Sequence, residues 1–226
     1  MKSILSRPSP ATILPLALLA AIGVASSAPD PTTVADKEDN SAVRPLKALL
    51  ITGGCCHDYE KQKVIIPAGV SQRAKVDWTI VHEGGTSRDH KVSIYSKEDW
   101  TKGYDVIVHN ECFGGVKDDA FVEAIAKAHE TTPAVVLHCT MHSYRGAPKG
   151  ANEWRKFLGV TSTNHGKHAA IMMKNLKPDH PVMKGFPAEW KTPKGELYRI
   201  KKVWDTATPL AEGTSSPTEK IGRAHV

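Results

Sequence analysis

In the stretch "VIVHNECFGG", branched apolar residues run directly into His109, Asn110, Glu111 and Cys112, followed by the pair Gly114–Gly115. The pattern recurs along the chain. "LKALLITGG" (46–54) leads into Cys55, Cys56, His57 and Asp58, and "VDWTIVHE" (76–83) ends at His82 and Glu83. "PAVVLHCTMH" (133–142) carries His138, Cys139 and His142. Imidazoles beside carboxylates suit two kinds of chemistry. They can hold a divalent metal such as zinc, with Glu or Asp as a ligand or as the group that orients a ring. They can also act without metal as an acid–base pair, because imidazole titrates near neutrality. A single histidine at a strand end commonly just bonds a loop carbonyl. Recurrence at four strand ends favours a functional set, with His109, Glu111 and His138 as the catalytic candidates.

His138 and His142, four residues apart, are the candidate metal pair. In an extended chain they would lie about 13 Å apart, too far for one ion. The pairing therefore requires a helical turn that begins at about Cys139.

The elements that must position these residues follow from periodicity. The four apolar runs, with the third spanning 104–111, are short, branched and nearly continuous, as strands buried on both faces of a parallel sheet are. Between them, "YEKQKVIIPAGVSQRA" and "DDAFVEAIAKAHE" carry helical spacing. In the second, Phe121, Ile125 and Ala128 share a face, and Asp118 and Asp119 favour the helix start. Pro67 predicts a kinked or shortened first helix. "YSKEDWTKG" reads as a short helix or turn, and "ANEWRKFLG" as another short helix. The order β-α-β-α-β-α-β implies a three-layer α/β/α fold with right-handed crossovers. Ligands of such sheets bind at the carboxyl ends of the strands. One rim thereby collects His57, Asp58, His82, Glu83, His109, Glu111, His138 and His142.

The flanks differ from this domain. Lys2 and Arg7 precede the apolar run "ATILPLALLAAIGVA", and the small residues "SSA" follow. That is the layout of a secretory signal peptide over residues 1–28, and the run is too short for a membrane span. The expectation is an exported protein with no stable membrane span after cleavage. Residues 29–45 are polar and proline-rich and read as a linker. At the other end, "IGRAHV" (221–226) back-translates as ATC GGA AGA GCA CAC GTC, a common sequencing-library adapter whose next triplet is a stop. These six residues are expected to be an artefact, with the 46–220 domain incomplete at its C-terminus.

The net charge of +6 and pI near 9.1 could indicate nucleic acid. The lysines, however, are interspersed with acids, and no arginine cluster or aromatic platform accompanies them. A solvated basic surface is the better reading, with no nucleic-acid partner. Oligomeric state is not legible.

The ordered set "ITGG" with His57–Asp58, "AVVLHCTMHSY", "DHPVMKGFP" and "GELYRI" resembles the ThuA-like family, named from trehalose utilisation. The resemblance covers residues 46–212. It implies the flavodoxin-like, class I glutamine amidotransferase-like fold and a role in carbohydrate (disaccharide or keto-glycoside) catabolism. It also implies that the segments with Asp179, His180, Glu196 and Tyr198 fold back over the rim and shape a substrate pocket with His57, Asp58, His82 and Glu83. Family members continue to a glycine-rich turn and a Gly-His motif that this sequence lacks. A non-catalytic sugar-binding or accessory domain of a longer exported protein is the alternative. Trp154, Trp190 and Trp204 could stack on sugars, although tryptophan is more often core filler.

The parent fold raises a cysteine nucleophile on a strand-to-helix elbow. Cys139 lies near that place, but the elbow wants small neighbours, and Leu137 and Met141 flank it. Glutamine amidotransferase activity is not expected. Export permits disulfides. With the flavodoxin-like strand order 2-1-3-4, Cys55 or Cys56 could bridge to Cys112, whereas bonding adjacent cysteines closes a strained ring and is the less favoured pairing; free thiols are the other reading.

Overall fold

The computed structural model describes residues 43–215 and 224–225. The expected signal peptide, nearly all of the linker, and residues 216–223 and 226 lie outside the described residues.

Strands β1 (Leu46–Gly54), β2 (Val76–His82), β3 (Val106–Cys112) and β4 (Ala134–Val136) form one parallel sheet in the order β2-β1-β3-β4. This is the α/β arrangement implied by the alternating pattern. Ala48–Ile51 on β1 and Ile107 on β3 are almost wholly buried, as expected of strands covered on both faces. Helix α1 (Tyr59–Ser71) lies between β1 and β2, and α2 (Asp119–Ala128) and α3 (Gly150–Leu158) follow β3 and β4. The helix starts follow ordinary capping chemistry. Asp58 accepts the Lys61 amide at 3.1 Å, and Asp118 accepts that of Phe121 at 3.1 Å. Asp119 takes the Lys149 and Gly150 amides, both at 2.8 Å, and so ties α2 to the start of α3. The core packs Leu49, Ile51, Ile107, Phe113, Val122, Ile125, Tyr144 and Trp154 between β1, β3, α2 and α3.

Helix α1 runs through Pro67 and ends at Ser71, shorter than its 59–74 pattern. Two local expectations change. The inward stripe of α2 centres on Val122, Ile125 and Ala126, one step round from the expected face. The fourth strand is only three residues long, because the chain turns into a 3₁₀ helix over His138–His142.

Beyond α3 the architecture becomes antiparallel. Strand β5 (Val160–His165) pairs with β8 (Tyr198–Val203), and β6 (Ala169–Asn175) pairs with both β7 (Glu189–Gly195) and β9 (Ala211–Ser215). Ala224–His225 add a two-residue edge strand, β10, on β9. Such a pairing uses backbone groups that every non-proline residue carries, so it follows from no particular side chains. Among the described residues, no helix is long and apolar enough to cross a membrane.

Candidate functional site

Strand β1 ends in Gly53 and Gly54 because the neighbouring backbone leaves no room for a side chain. A Cβ on Gly53 would collide with the Glu83 carbonyl, and one on Gly54 with that of Cys112. Both residues also have positive φ, 141° and 97°. The chain then presents Cys55, Cys56 and His57 before Asp58 caps α1. Two residues after β4, His138 takes φ +43°, a left-handed conformation that costs a non-glycine residue about 1–3 kcal/mol. The strained elbow position therefore belongs to His138, and Cys139 is buried one residue further on. A cleft of about 260 Å³ opens between these strand ends and the β5–β8 pair, and His57, Cys139, His142, His165 and Glu196 help to line it. Arg88 and Arg145 bring two positive charges to it. A larger groove of about 600 Å³ between α2 and α3, lined in part by His129 and Phe157, holds none of the strand-end residues singled out from the sequence.

Glu196 is the hub of the cleft. Its side chain is 13 % exposed, and Oε1 accepts from His168 Nε2 at 2.6 Å. His165 Nε2 stands 3.7 Å from the same oxygen, while Oε2 faces His138 Nε2 at 3.7 Å. On the far side of that ring, His138 Nδ1 lies 3.4 Å from the Tyr198 hydroxyl. The His57 ring is edge-on to His138 with centroids 4.9 Å apart. His57, His138 and Glu196 each place a ligand atom within 4.8 Å of the other two. Two imidazoles and a carboxylate are a donor set for a divalent transition metal. Metal–ligand bonds of about 2.0–2.2 Å place neighbouring donors roughly 3.4 Å apart, so 3.7 Å is close to what an ion needs.

Protonation suits the same reading. Burial raises the Glu196 carboxyl, but the His168 hydrogen bond and the charges of His165 and His138 outweigh it and hold the group below its ordinary value. Burial, with His57 alongside, lowers His138 and favours the neutral ring that can ligate. His165 Nδ1 donates to the Gly166 carbonyl at 2.8 Å, which leaves Nε2 as the basic nitrogen.

The structure separates the remaining sequence-predicted residues. His142 does not join His138 on one face. In a 3₁₀ helix the i and i+3 positions eclipse, so a residue four along is swung away by about 120°. Its ring instead stacks on Tyr198 at 4.4 Å, and Nε2 meets Ser162 Oγ at 3.3 Å. Burial, then the nearby Arg145 charge, pushes His142 down to about 4. His109 and Glu111 are corrected more strongly, since both are 0 % exposed and lie outside the cleft. The strand continues to Cys112, so the two side chains fall inside the sheet and not at its end. Alternation then turns both toward α2 and α3, while Asn110 faces α1 and bonds Gln62 at 2.9 Å.

There Glu111 Oε1 accepts from Tyr95 at 2.8 Å and Tyr144 at 3.1 Å, and lies 3.0 Å from His109 Nδ1. His109 Nε2 meets His129 Nε2 at 2.8 Å, and His129 Nδ1 meets the Thr132 carbonyl at 2.9 Å.

Asp58 serves α1 as its cap and pairs with Lys61. His82 turns to Lys63 and Glu60. Glu83 binds Ser93 and His90 and so organises its own loop. His180 caps the short turn Pro181–Met183 through Val182. Trp154 is core, and Trp204 carries Lys202 over its ring and bonds Thr161. In place of a bridge from Cys55 or Cys56 to Cys112, the adjacent Cys55 and Cys56 form a disulfide, the less favoured pairing, and Cys112 and Cys139 are free. His165 and His168 are not among the residues that the sequence singles out. Their His-x-x-His spacing beside strand boundaries is the available signal.

No family model and no curated protein matches the sequence. Solved structures do. A protein described as ThuA-like from Parabacteroides merdae matches over 80 % of this chain and 73 % of its own, with a TM-score of 0.60 and 16 % identity. Another described in the same way, from Bacteroides uniformis, matches over 84 % and 77 %, with a TM-score of 0.58 and 16 % identity. At such identity the likeness speaks for architecture, and it agrees with the resemblance carried by the strand-end motifs: this chain has the fold of ThuA-like proteins.

Proposed function

We propose that the chain is an exported enzyme of carbohydrate catabolism, acting on a disaccharide or keto-glycoside at the strand-end cleft with a divalent metal such as zinc. The observation that carries this reading is the convergence of His57, His138 and Glu196 on one point, with His168 holding the second oxygen of the carboxylate. Bound there, the ion supplies Lewis acidity to a carbonyl or hydroxyl oxygen of the sugar. The chain's own residues do the rest. His57, His138 and Glu196 are the donors, and His168 and Tyr198 fix how the Glu196 and His138 groups point. His165 Nε2, basic and 38 % exposed on its side chain, takes or returns a proton at the sugar carbon or hydroxyl. Arg88 and Arg145 anchor sugar oxygens or a carboxylate at the mouth. Export rests on the signal-peptide pattern and carbohydrate on the family resemblance.

Calorimetric zinc titration of the wild type and of Glu196→Gln tests the metal. The expected result is one site per chain, weakened at least about a hundredfold in the variant. Equal affinity of the two proteins would remove the metal from the mechanism. Turnover of a keto-glycoside by the loaded wild type, and its loss in His165→Ala, tests the substrate and the base.

A further inference from the structure

All four cysteines of the sequence meet at one corner of the cleft, although they come from three separate stretches of chain. Cys55 and Cys56 form the disulfide, with Cys56 exposed at the mouth. Cys112 closes β3 on the neighbouring strand, and Cys139 lies in the turn after β4. The sulfurs stand in a row: Cys112 Sγ is 3.9 Å from Cys55 Sγ and 3.0 Å from Cys139 Sγ. Packing alone does not ask for this, because a small apolar residue fills such a corner as well as a thiol does. A free thiol beside a disulfide sulfur is, however, the arrangement from which thiol–disulfide exchange proceeds.

We propose that these residues form a disulfide relay, in which one disulfide migrates between the exposed Cys55–Cys56 pair and the buried Cys112–Cys139 pair and exchanges with low-molecular-weight thiols at Cys56. In the first step the Cys112 sulfur attacks Cys55 Sγ. The Cys55–Cys112 bond forms, the Cys55–Cys56 bond breaks, and Cys56 leaves with the electron pair. In the second step Cys139 attacks Cys112 Sγ, forms Cys112–Cys139 and releases Cys55. The protons of Cys112 and Cys139 end on Cys55 and Cys56, and no external oxidant is consumed. To reach the bond length of about 2.05 Å, the sulfurs must close by roughly 1.9 Å in the first step and 1.0 Å in the second. Exchange with the medium begins when a small thiolate attacks the exposed Cys56 sulfur and Cys55 leaves. A second thiolate then releases the small-molecule disulfide and leaves both cysteines reduced.

The test starts from the fully reduced full-length chain, reoxidised with one equivalent of oxidised glutathione. Acid quenching, alkylation and peptide mass spectrometry then locate the disulfide. Both the Cys55–Cys56 and Cys112–Cys139 linkages are expected, within about tenfold of each other. Finding Cys55–Cys56 alone, with Cys112 and Cys139 fully alkylated, overturns the relay. The double variant Cys56→Ser/Cys139→Ser, which removes the sulfur that would reverse the first step and the one that would carry out the second, is expected to hold the Cys55–Cys112 bond of the first step. Its absence also overturns the proposal. So does stoichiometric retention of a thiophilic ion by the reduced sulfurs with no disulfide formed on reoxidation, which assigns the corner to a metal.

Discussion

His109 with Glu111 and His138 with Glu196 are the same two residue types, yet one pair lies beneath the helical layer and the other at the strand ends. The buried pair is sealed. Glu111 takes three donors on one oxygen, and its other oxygen has no partner. The Thr132 carbonyl can only accept, so His129 donates from Nδ1 and, as a neutral ring, accepts at Nε2 from His109. His109 Nδ1 lies 3.0 Å from Glu111 Oε1 and 3.1 Å from the Tyr95 hydroxyl, so both nitrogens of the ring find partners inside the core, as buried polar groups do. The cleft pair, by contrast, is held apart at 3.7 Å, with His138 47 % exposed and strained in φ. A satisfied network specifies a core, whereas a spaced and partly open one leaves room for a ligand.

The largest effect is expected of His109→Ala, which removes the partner of a buried acid. A loss of roughly 3–5 kcal/mol is expected in chemical denaturation, with metal affinity per folded chain unchanged. If metal affinity falls and stability does not, the two regions have been assigned the wrong way round.

His138→Ala is the converse. Metal affinity should drop by at least about a hundredfold, roughly 2.7 kcal/mol, while stability changes by only about 1 kcal/mol because the residue is half open. Release of the left-handed backbone strain even offsets part of that change. A collapse in melting temperature would mark His138 as structural.

Glu111→Gln asks whether the sealed pair needs a charge or only a proton. With the amide oxygen in the place of Oε1 it still accepts from Tyr95 and Tyr144, so a cost of about 1–2 kcal/mol is expected, well short of the cost of Glu111→Ala. Equal costs for the two variants would mean that the carboxylate's charge matters.

The pH dependence isolates a single ring of the sealed network. Burial, then the neighbouring His109, pushes His129 down to about 4 from an ordinary value near 6.5. Between these values the unfolded chain binds a proton that the folded chain does not, so stability rises with pH across roughly 4 to 6.5 and is complete above it. His129→Gln should flatten that part of the melting-temperature profile. An unchanged slope would exclude His129 as its source.

The parallel sheet is legible in the amino-acid sequence alone, because continuous branched runs separated by helical spacing have few ways to bury both strand faces; its strand order comes only from the flavodoxin-like fold that the family resemblance implies. The rim location follows from the same topology, which places His57 and His138 there, whereas Glu196 is expected there only from the family resemblance. Which of these residues meet around Glu196 is decided by three things that no short stretch contains. Strand β3 continues to Cys112, so alternation sends His109 and Glu111 inward. The turn after β4 is 3₁₀, so His142 swings onto Tyr198 and away from His138. The antiparallel β5–β8 pair brings His165 and Glu196 to a rim built by residues up to about 140 positions earlier in the chain. Periodicity reports which face of an element is apolar, but where an element ends and what packs against it depend on the sum of distant contacts.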